Sequence, residues 1–369
     1  MEKIQKIHVD SKPKIGITHG DINGIGYEVI IKALRDHRVT ENFTPVVYGH
    51  SKIASYHRKS IDAEDFNFQG AKNAESAIPR KPNLINCSDQ NVKIELGKAS
   101  PIAGEMALIS LEKATGDLKK GVIDALVTAP INKENIQSEH FDFPGHTEYL
   151  AQKFGNTDYM MLMVSHGLRI GVATGHIPLS EVPGAINAEL IMKKVRIMNR
   201  SLIRDFNIGK PKIAVLGLNP HSGERGLLGP EEEQILTPAI TALFEEGNFV
   251  YGPYPADGFF GTDTYTKFDG ILAMYHDQGM IPFKTLAFRD GVNFTAGLPV
   301  VRTSPAHGTA YDLAGRNLAD PEPMRSAIFT ALDIIRNRRE FDELSKNPLP
   351  VTTGEDDHAN TSEKRNNNQ

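Results

Sequence analysis

Short apolar runs alternate with longer amphipathic stretches along most of the chain, and the two periods predict an α/β protein. Lys14–Thr18 (KIGIT), Pro45–Tyr48, Ile123–Thr128, Tyr159–Val164, Arg169–Thr174, Lys212–Leu218 and Gly270–Tyr275 are strand-sized and rich in Val, Ile and Leu. That composition suits strands buried on both faces. Apolar positions three and four apart predict helices at about Ile25–Asp36, Ile102–Lys119, Thr147–Phe154, Ala188–Asp205, Glu231–Glu246 and Pro323–Asn337. Pro230, followed by three glutamates, marks a helix start: the missing N–H would have had no partner there, and acids favour the positive end of the helix dipole. From about Thr352 the chain has almost no large apolar residue and is expected to be disordered.

The loops after the predicted strands carry more chemistry than connection requires. They read HGDINGIG (19–26), TAPINK (128–133), ATGH (173–176), GLNPH (217–221) and YHDQG (275–279). In open α/β sheets ligands bind beyond the carboxyl ends of strands, so five such ends rich in His, Asn, Asp and Gly imply one site.

Composition narrows the class. A chain of 369 residues fits two domains or one large α/β unit. A net charge of −5 offers no bulk field for nucleic acid or an anionic membrane, so neither is expected as a partner. The longest apolar runs fall far below the ~18 residues of a membrane span, and the first residues hold no signal-peptide core. Cys87 is the sole cysteine, which excludes an intramolecular disulfide and a multi-thiolate zinc site. A reducing, cytoplasmic location is expected.

Three histidines stand alike: His176, His221 and His276 each follow a β-run and sit beside Gly or Pro. Three imidazoles with an open position suit a catalytic divalent ion such as zinc or cobalt, with Mg²⁺ alone less favoured. Three unrelated loop histidines are the plain alternative, and spacing excludes neither His19 nor His166. Lys284, Asn293 and Arg302 recur every nine residues in a segment full of Gly and Pro. Lys and Arg are the usual pair for a phosphate or carboxylate, while solvated surface charge is the alternative. The glycine signals are partial. Gly20, Gly24 and Gly26 follow a strand and open a helix, but Val29 stands where a dinucleotide fingerprint needs its third glycine. No phosphate-loop lysine motif, G-x-S-x-G or H-E-x-x-H is present.

Taken together, ITHGDINGIGYE (17–28), VTAPINK (127–133), PGHTEYLA (144–151), GHIPL (175–179), GLNPHSGERGLLGPEE (217–232), PADGFF (255–260), AMYHDQGMIPFK (273–284) and GVNFTAGLPVVRTSPAHGTAYDLAG (291–315) resemble the 4-hydroxythreonine-4-phosphate dehydrogenase (PdxA) family. The match runs in order from about residue 14 to 340. It departs in the first loop, where His19, Ile22, Asn23 and Tyr27 replace the usual residues, and it offers no motif over 51–96.

The resemblance implies a fold like that of isocitrate and isopropylmalate dehydrogenases, with two α/β subdomains and a cleft between them. One would comprise 1–128 with 290–345, and the other 129–289 with the metal ligands and dimer contacts, leaving 346–369 as a disordered tail. It implies His176, His221 and His276 as metal ligands. Substrate contacts would be His146, Thr147, Lys284, Asn293 and Arg302. The HGTAYDLAG segment would be the adenosine-side cofactor loop, with Gly308, Thr309 and Asp312. A homodimer with an active site shared between subunits is implied as well.

The implied reaction is NAD- or NADP-dependent oxidation of the secondary alcohol of 4-phosphooxy-L-threonine, aided by one divalent ion (zinc, cobalt or magnesium). The resulting β-keto acid would lose carbon dioxide to give 3-amino-2-oxopropyl phosphate, towards pyridoxal 5'-phosphate. Asp257, in PADGFF, is the candidate general base; a loop aspartate capping a turn is its alternative. Rival readings are a paralogue acting on 4-phosphoerythronate or 4-phosphothreonate, a phosphate acyltransferase of related fold, and a non-catalytic phospholigand-binding protein.

Overall fold

The apolar runs assemble into one twelve-stranded sheet in the computed structural model, which describes residues 12–155 and 158–347. The strands are β1 (Lys14–Thr18), β2 (Thr44–Gly49), β3 (Gln69–Ala71), β4 (Asn83–Asn86), β5 (Ala125–Thr128), β6 (Met160–Ser165), β7 (Leu168–Val172), β8 (Lys212–Leu216), β9 (Phe249–Tyr254), β10 (Gly270–Ala273), β11 (Val292–Ala296) and β12 (Val301–Pro305). The helices are α1 (Gly26–Arg35), α2 (Ser51–Ser60), α3 (Pro101–Lys119), α4 (His146–Lys153), α5 (Val182–Ala185), α6 (Ala188–Arg204), α7 (Thr237–Glu245), α8 (Ala256–Gly261), α9 (His276–Ala287) and α10 (Glu322–Leu344). The expected α/β class is therefore what forms. The expected tail beyond residue 347 and the first eleven residues lie outside the described residues.

Strand order is β3-β4-β2-β1-β5-β12-β11-β6-β7-β10-β8-β9. β1 to β5 and β12 run parallel as one wing. β11 is antiparallel to both β12 and β6, and β6 is antiparallel to β7. The second wing, β7, β10, β8 and β9, is again parallel within itself. Two reversals at β11 and one at β7 leave the wings pointing in opposite directions. Their carboxyl ends therefore leave opposite edges of the sheet, yet the loops after β5, β7 and β10 border one cavity, while those after β1 and β8 lie outside its lining.

Residues buried on both faces explain the wings: Ile15, Ile17, Val46, Val47, Leu126 and Val127 are fully enclosed. α10 packs on β12 and β5, α3 on β1 and β2, α6 beneath the seam, and α9 on β7. Burying such strands at about 25 cal/mol per Å² of apolar area drives the assembly. The predicted helix at 231–246 divides, with a π turn at Glu232–Leu236 before α7. Pro238 has no N–H to close the regular ladder there.

β11 and β12 were absent from the hydrophobic pattern because one face of each is polar. Register places Asn293 opposite both Ser304 and Met163, and Thr295 opposite Met161. Arg302 lies two residues from Ser304, so Arg302, Ser304, Asn293 and Thr295 share a face. α9 also escaped the pattern because Gly279 and Pro282 interrupt it. The short strands β3, β4 and β9 and the helices α2 and α8 carried no apolar signal strong enough to read.

Candidate active site

The polar face of the seam forms the floor of a cavity of about 360 Å³. Arg302, on β12, is 3% exposed. Its Nε and Nη2 donate to Thr128 Oγ1 at 3.1 and 2.7 Å, and Nη1 donates to Thr295 Oγ1 at 3.3 Å and approaches Thr147 Oγ1 at 3.5 Å. All of these partners are neutral hydroxyls. Burial lowers the guanidinium pKa to about 10, opposed by the nearby charge of Glu148. A buried cation without an acid partner is costly in a folded protein and is retained where an anion will join it.

Around this floor the cavity gathers His146, Thr147, Lys284, Asn293 and Gly308, together with His176 and His276. α4 begins at His146, so GHTE presents His146, Thr147 and Glu148 from a helix N-terminus. His146 is held neutral: burial lowers its pKa well below the usual range, and Arg302 and Lys133 add to the effect. Its buried Nε2 and the buried Oδ1 of Asn293 have no hydrogen-bond partner among the described residues. Both border the cavity, so two polar atoms await a ligand.

His176 follows β7 and His276 opens α9, and their ring centres lie 5.6 Å apart. Burial lowers the pKa of His176, with Lys133 and His276 lowering it further against Glu148, so the imidazole is neutral, as a metal ligand must be. His276 Nδ1 meets Asp277 Oδ1 at 2.6 Å, which orients the ring and leaves Nε2 for a metal. Gln278 joins the neighbouring loops: Met274 N donates to its Oε1 at 2.7 Å, and its Nε2 donates to Gly217 O at 2.6 Å. The donor set fits a divalent ion, although among the described residues no group of three His, Cys, Asp or Glu stands at ligating distance.

His221 lies elsewhere. It is exposed and does not line the cavity. Its loop runs through consecutive positive φ values from His221 to Gly226, which is costly for side-chain-bearing residues. Buried Glu232 fixes the base of this loop, accepting from Leu218 N at 2.8 Å, Asn219 N at 2.7 Å and Asn219 Nδ2 at 2.9 Å. The geometry presents His221 outward. Asp257 is exposed in the first turn of α8 and is also outside the cavity lining.

The first loop buttresses the site without lining it. A Cβ on Gly20 (φ 67°) would meet Pro130 O at 2.1 Å, so only glycine allows this approach to the loop after β5. Asp21 accepts from Asn135 Nδ2 at 2.8 Å and from Tyr311 OH at 2.7 Å, and Ile25 N donates to Thr309 O at 3.1 Å. The segment 308–315 is thereby clamped to the first loop. Gly308 borders both the cavity and open space, leaving room for a bound cofactor against the backbone. Thr309 serves the clamp, and Asp312 is exposed outside the cavity lining. The departures from the family pattern are structural: His19 stacks on Tyr27 at 5.0 Å, Tyr27 on His57 at 5.2 Å, and Asn23 Nδ2 donates to Lys98 O at 2.9 Å.

Several residues of the site were not singled out from the sequence: Thr128, Lys133, Glu148, Lys194 and His307 line the cavity, and Thr295 bonds to Arg302 behind it. Thr128 and Lys133 lie in TAPINK and Glu148 in GHTE, so the motifs held them without assigning roles. Thr295 needed the strand alternation from Asn293. Lys194 lies mid-helix in α6 and carried no local signal.

Comparison with known proteins shows the family. The family described as pyridoxal phosphate biosynthetic protein PdxA matches residues 41–331. A 4-hydroxythreonine-4-phosphate dehydrogenase from Bacteroides thetaiotaomicron is 52% identical over 92% of this chain and 93% of its own length. A Cutibacterium acnes relative, provisionally named a D-threonate 4-phosphate dehydrogenase, is 40% identical over 88% of this chain and 94% of its own. The crystal structure of 4-hydroxythreonine-4-phosphate dehydrogenase from Klebsiella pneumoniae superimposes with a TM-score of 0.74 at 36% identity, covering 89% of this chain and 99% of that one.

Proposed function

The chain belongs to the PdxA family of pyridoxal phosphate biosynthetic proteins, and from that membership we propose that it is a 4-hydroxythreonine-4-phosphate dehydrogenase, an oxidoreductase. It oxidises the secondary alcohol of 4-phosphooxy-L-threonine to a β-keto acid, which decarboxylates to 3-amino-2-oxopropyl phosphate. The observation that carries this reading is the buried Arg302, a cation at the floor of a cavity whose side-chain hydrogen bonds, among the described residues, all go to neutral hydroxyls. Arg302 and Lys284 hold the phosphate, and Thr128, Thr147 and Thr295 keep the guanidinium fork in place. Phosphate binding energy then aligns the reacting carbon, which is better than spending it on tighter ground-state binding alone.

His176 and His276 hold a divalent ion from one chain, and His221 of a second copy completes the set. This accounts for an outward His221 and makes the protein a homodimer with a shared active site. When bound, the ion supplies Lewis-acid polarisation of the alcohol oxygen, and NAD or NADP supplies the hydride acceptor. Neutral His146 donates or accepts a hydrogen bond at the substrate through its free Nε2. The 308–315 segment, clamped by Asp21 and Tyr311, positions the cofactor. We assign the first wing, with residues 290–345, to one subdomain and 129–289 to the other. Asp257 stays the candidate base only if the second copy brings it to the cavity. The lone cysteine fits a cytoplasmic enzyme, and among the described residues no helix is long and apolar enough to cross a membrane.

The test is NADH absorbance with zinc-loaded protein, NAD⁺ and 4-phosphooxy-L-threonine, run beside 4-phospho-D-erythronate and 4-phosphothreonate with chelator controls. Turnover that prefers the amino acid and stops with chelator is expected. Preference for a hydroxy acid would move the enzyme to a sugar-acid substrate, as the relative from Cutibacterium acnes suggests. No turnover with any of the three would overturn the reading.

A further inference from the structure

Four side-chain cations line the cavity, Lys133, Lys194, Lys284 and Arg302, against one carboxylate among the described residues, Glu148. Such an excess asks for more than one anionic group on the ligand. Arg302 and Lys284 are already assigned to the phosphate. Lys194 is engaged elsewhere: its Nζ donates to Tyr159 O at 2.9 Å and lies 5.7 Å from the centre of the Tyr159 ring. Lys133 is the cation left over. We propose that Lys133 binds the carboxylate of the substrate, an assignment that rests on the dehydrogenase reading above.

Position argues for it. Lys133 Nζ lies 3.4 Å from Nε2 of His176, at the histidine pole of the cavity. An ammonium has no lone pair to offer, so at this contact the Nε2 of His176 is the acceptor. A metal ion needs that same lone pair, and one lone pair cannot serve both. An occupied metal site therefore releases the ammonium into the cavity, where no ion pair joins it to Glu148, the one carboxylate lining it among the described residues. The carboxylate of a β-hydroxy acid lies two carbons from its alcohol carbon, so an alcohol at the metal brings its carboxylate to this pole. Lys133 sits on an exposed loop with its backbone O accepting from Gln137 Nε2 at 3.1 Å, so its side chain is free to swing while its root is held.

The experiment is calorimetric binding to the zinc-loaded, full-length protein without nicotinamide. It compares 4-phosphooxy-L-threonine with its carboxyl-reduced alcohol, the same skeleton and phosphate lacking only the acid. Lys133→Met should weaken the acid by about ten- to hundredfold, the range of a charge-assisted bond, while the alcohol changes by less than about twofold. Lys133→Arg should recover most of the loss. Zinc affinity, measured in parallel, should hold or rise once a neighbouring cation is gone. Equal weakening of both ligands, no weakening of either, or loss of zinc from Lys133→Met would each overturn the assignment. Failure of the unaltered protein to bind either phosphate ester would overturn the substrate reading itself and this assignment with it, and that result is distinct from any behaviour of the variants.

Discussion

Arg302 carries the sharpest tension between stability and function. A guanidinium that is 3% exposed, with three threonine hydroxyls as its direct partners among the described residues, has only the more distant charge of Glu148 to offset part of its desolvation. Arg302→Met should therefore leave the free protein as stable or more stable, by about 1 kcal/mol or more on thermal unfolding. The same variant should lose binding of the phosphate ester by at least a hundredfold. A large drop in Tm would show that the guanidinium is a structural tie to Thr128 instead. Arg302 was visible in the sequence as one of three evenly spaced polar residues. Its burial was not, because an isolated arginine among Gly and Pro reads equally well as surface charge.

At the scale of elements, the loop after β1 depends on a buried aromatic stack. His19, Tyr27 and His57 lie ring on ring, and His57 Nε2 donates to Ile22 O at 2.7 Å, tying α2 to that loop. Burial pushes both imidazoles down to about 4 from an ordinary 6.5. Between those values the unfolded chain binds protons that the folded chain does not. The stabilisation is complete above pH 6.5 and is lost as the pH falls towards 4, by on the order of 3 kcal/mol for each histidine. His57→Phe should keep the stacking and flatten this decline, measured as denaturant stability across pH 4 to 7. It should cost about 1 kcal/mol at pH 7 through the lost bond to Ile22 O. An unchanged slope would mean that other groups govern acid unfolding. His19 and Tyr27 were legible as departures from the family pattern, whereas His57 lies in a helix that the pattern did not reveal, so the partnership itself could not be read.

At the scale of the whole molecule, the two wings point in opposite directions and the cavity lies across the seam between them. Loops after β5, β7 and β10 meet there, while the loop after β8 turns His221 outward. If a second copy supplies that histidine, variants altered at different ligands should complement. His221→Ala and His276→Ala should each be inactive as pure proteins, and mixing them through dissociation and reassociation should restore about a quarter of full activity, from one intact site in half of the dimers. No recovery on mixing, with dimers confirmed by sedimentation, would place all ligands within one chain.

Local pattern alone determined most of the parallel wings, because strands buried on both faces must be continuously apolar and so announce themselves. It also determined the two histidines after β7 and at the head of α9, since the polar ends of apolar runs stand out in any α/β chain. The tertiary structure alone decided the seam. β11 and β12 are half polar, and their register sets Asn293, Thr295, Arg302 and Ser304 on one face only once the strands pair. It also decided which strand-end loops converge, because the reversal of direction between the wings depends on pairing between distant segments. Lys133 and His176 lie 43 positions apart in the chain and meet only because the loops after β5 and β7 both border the cavity.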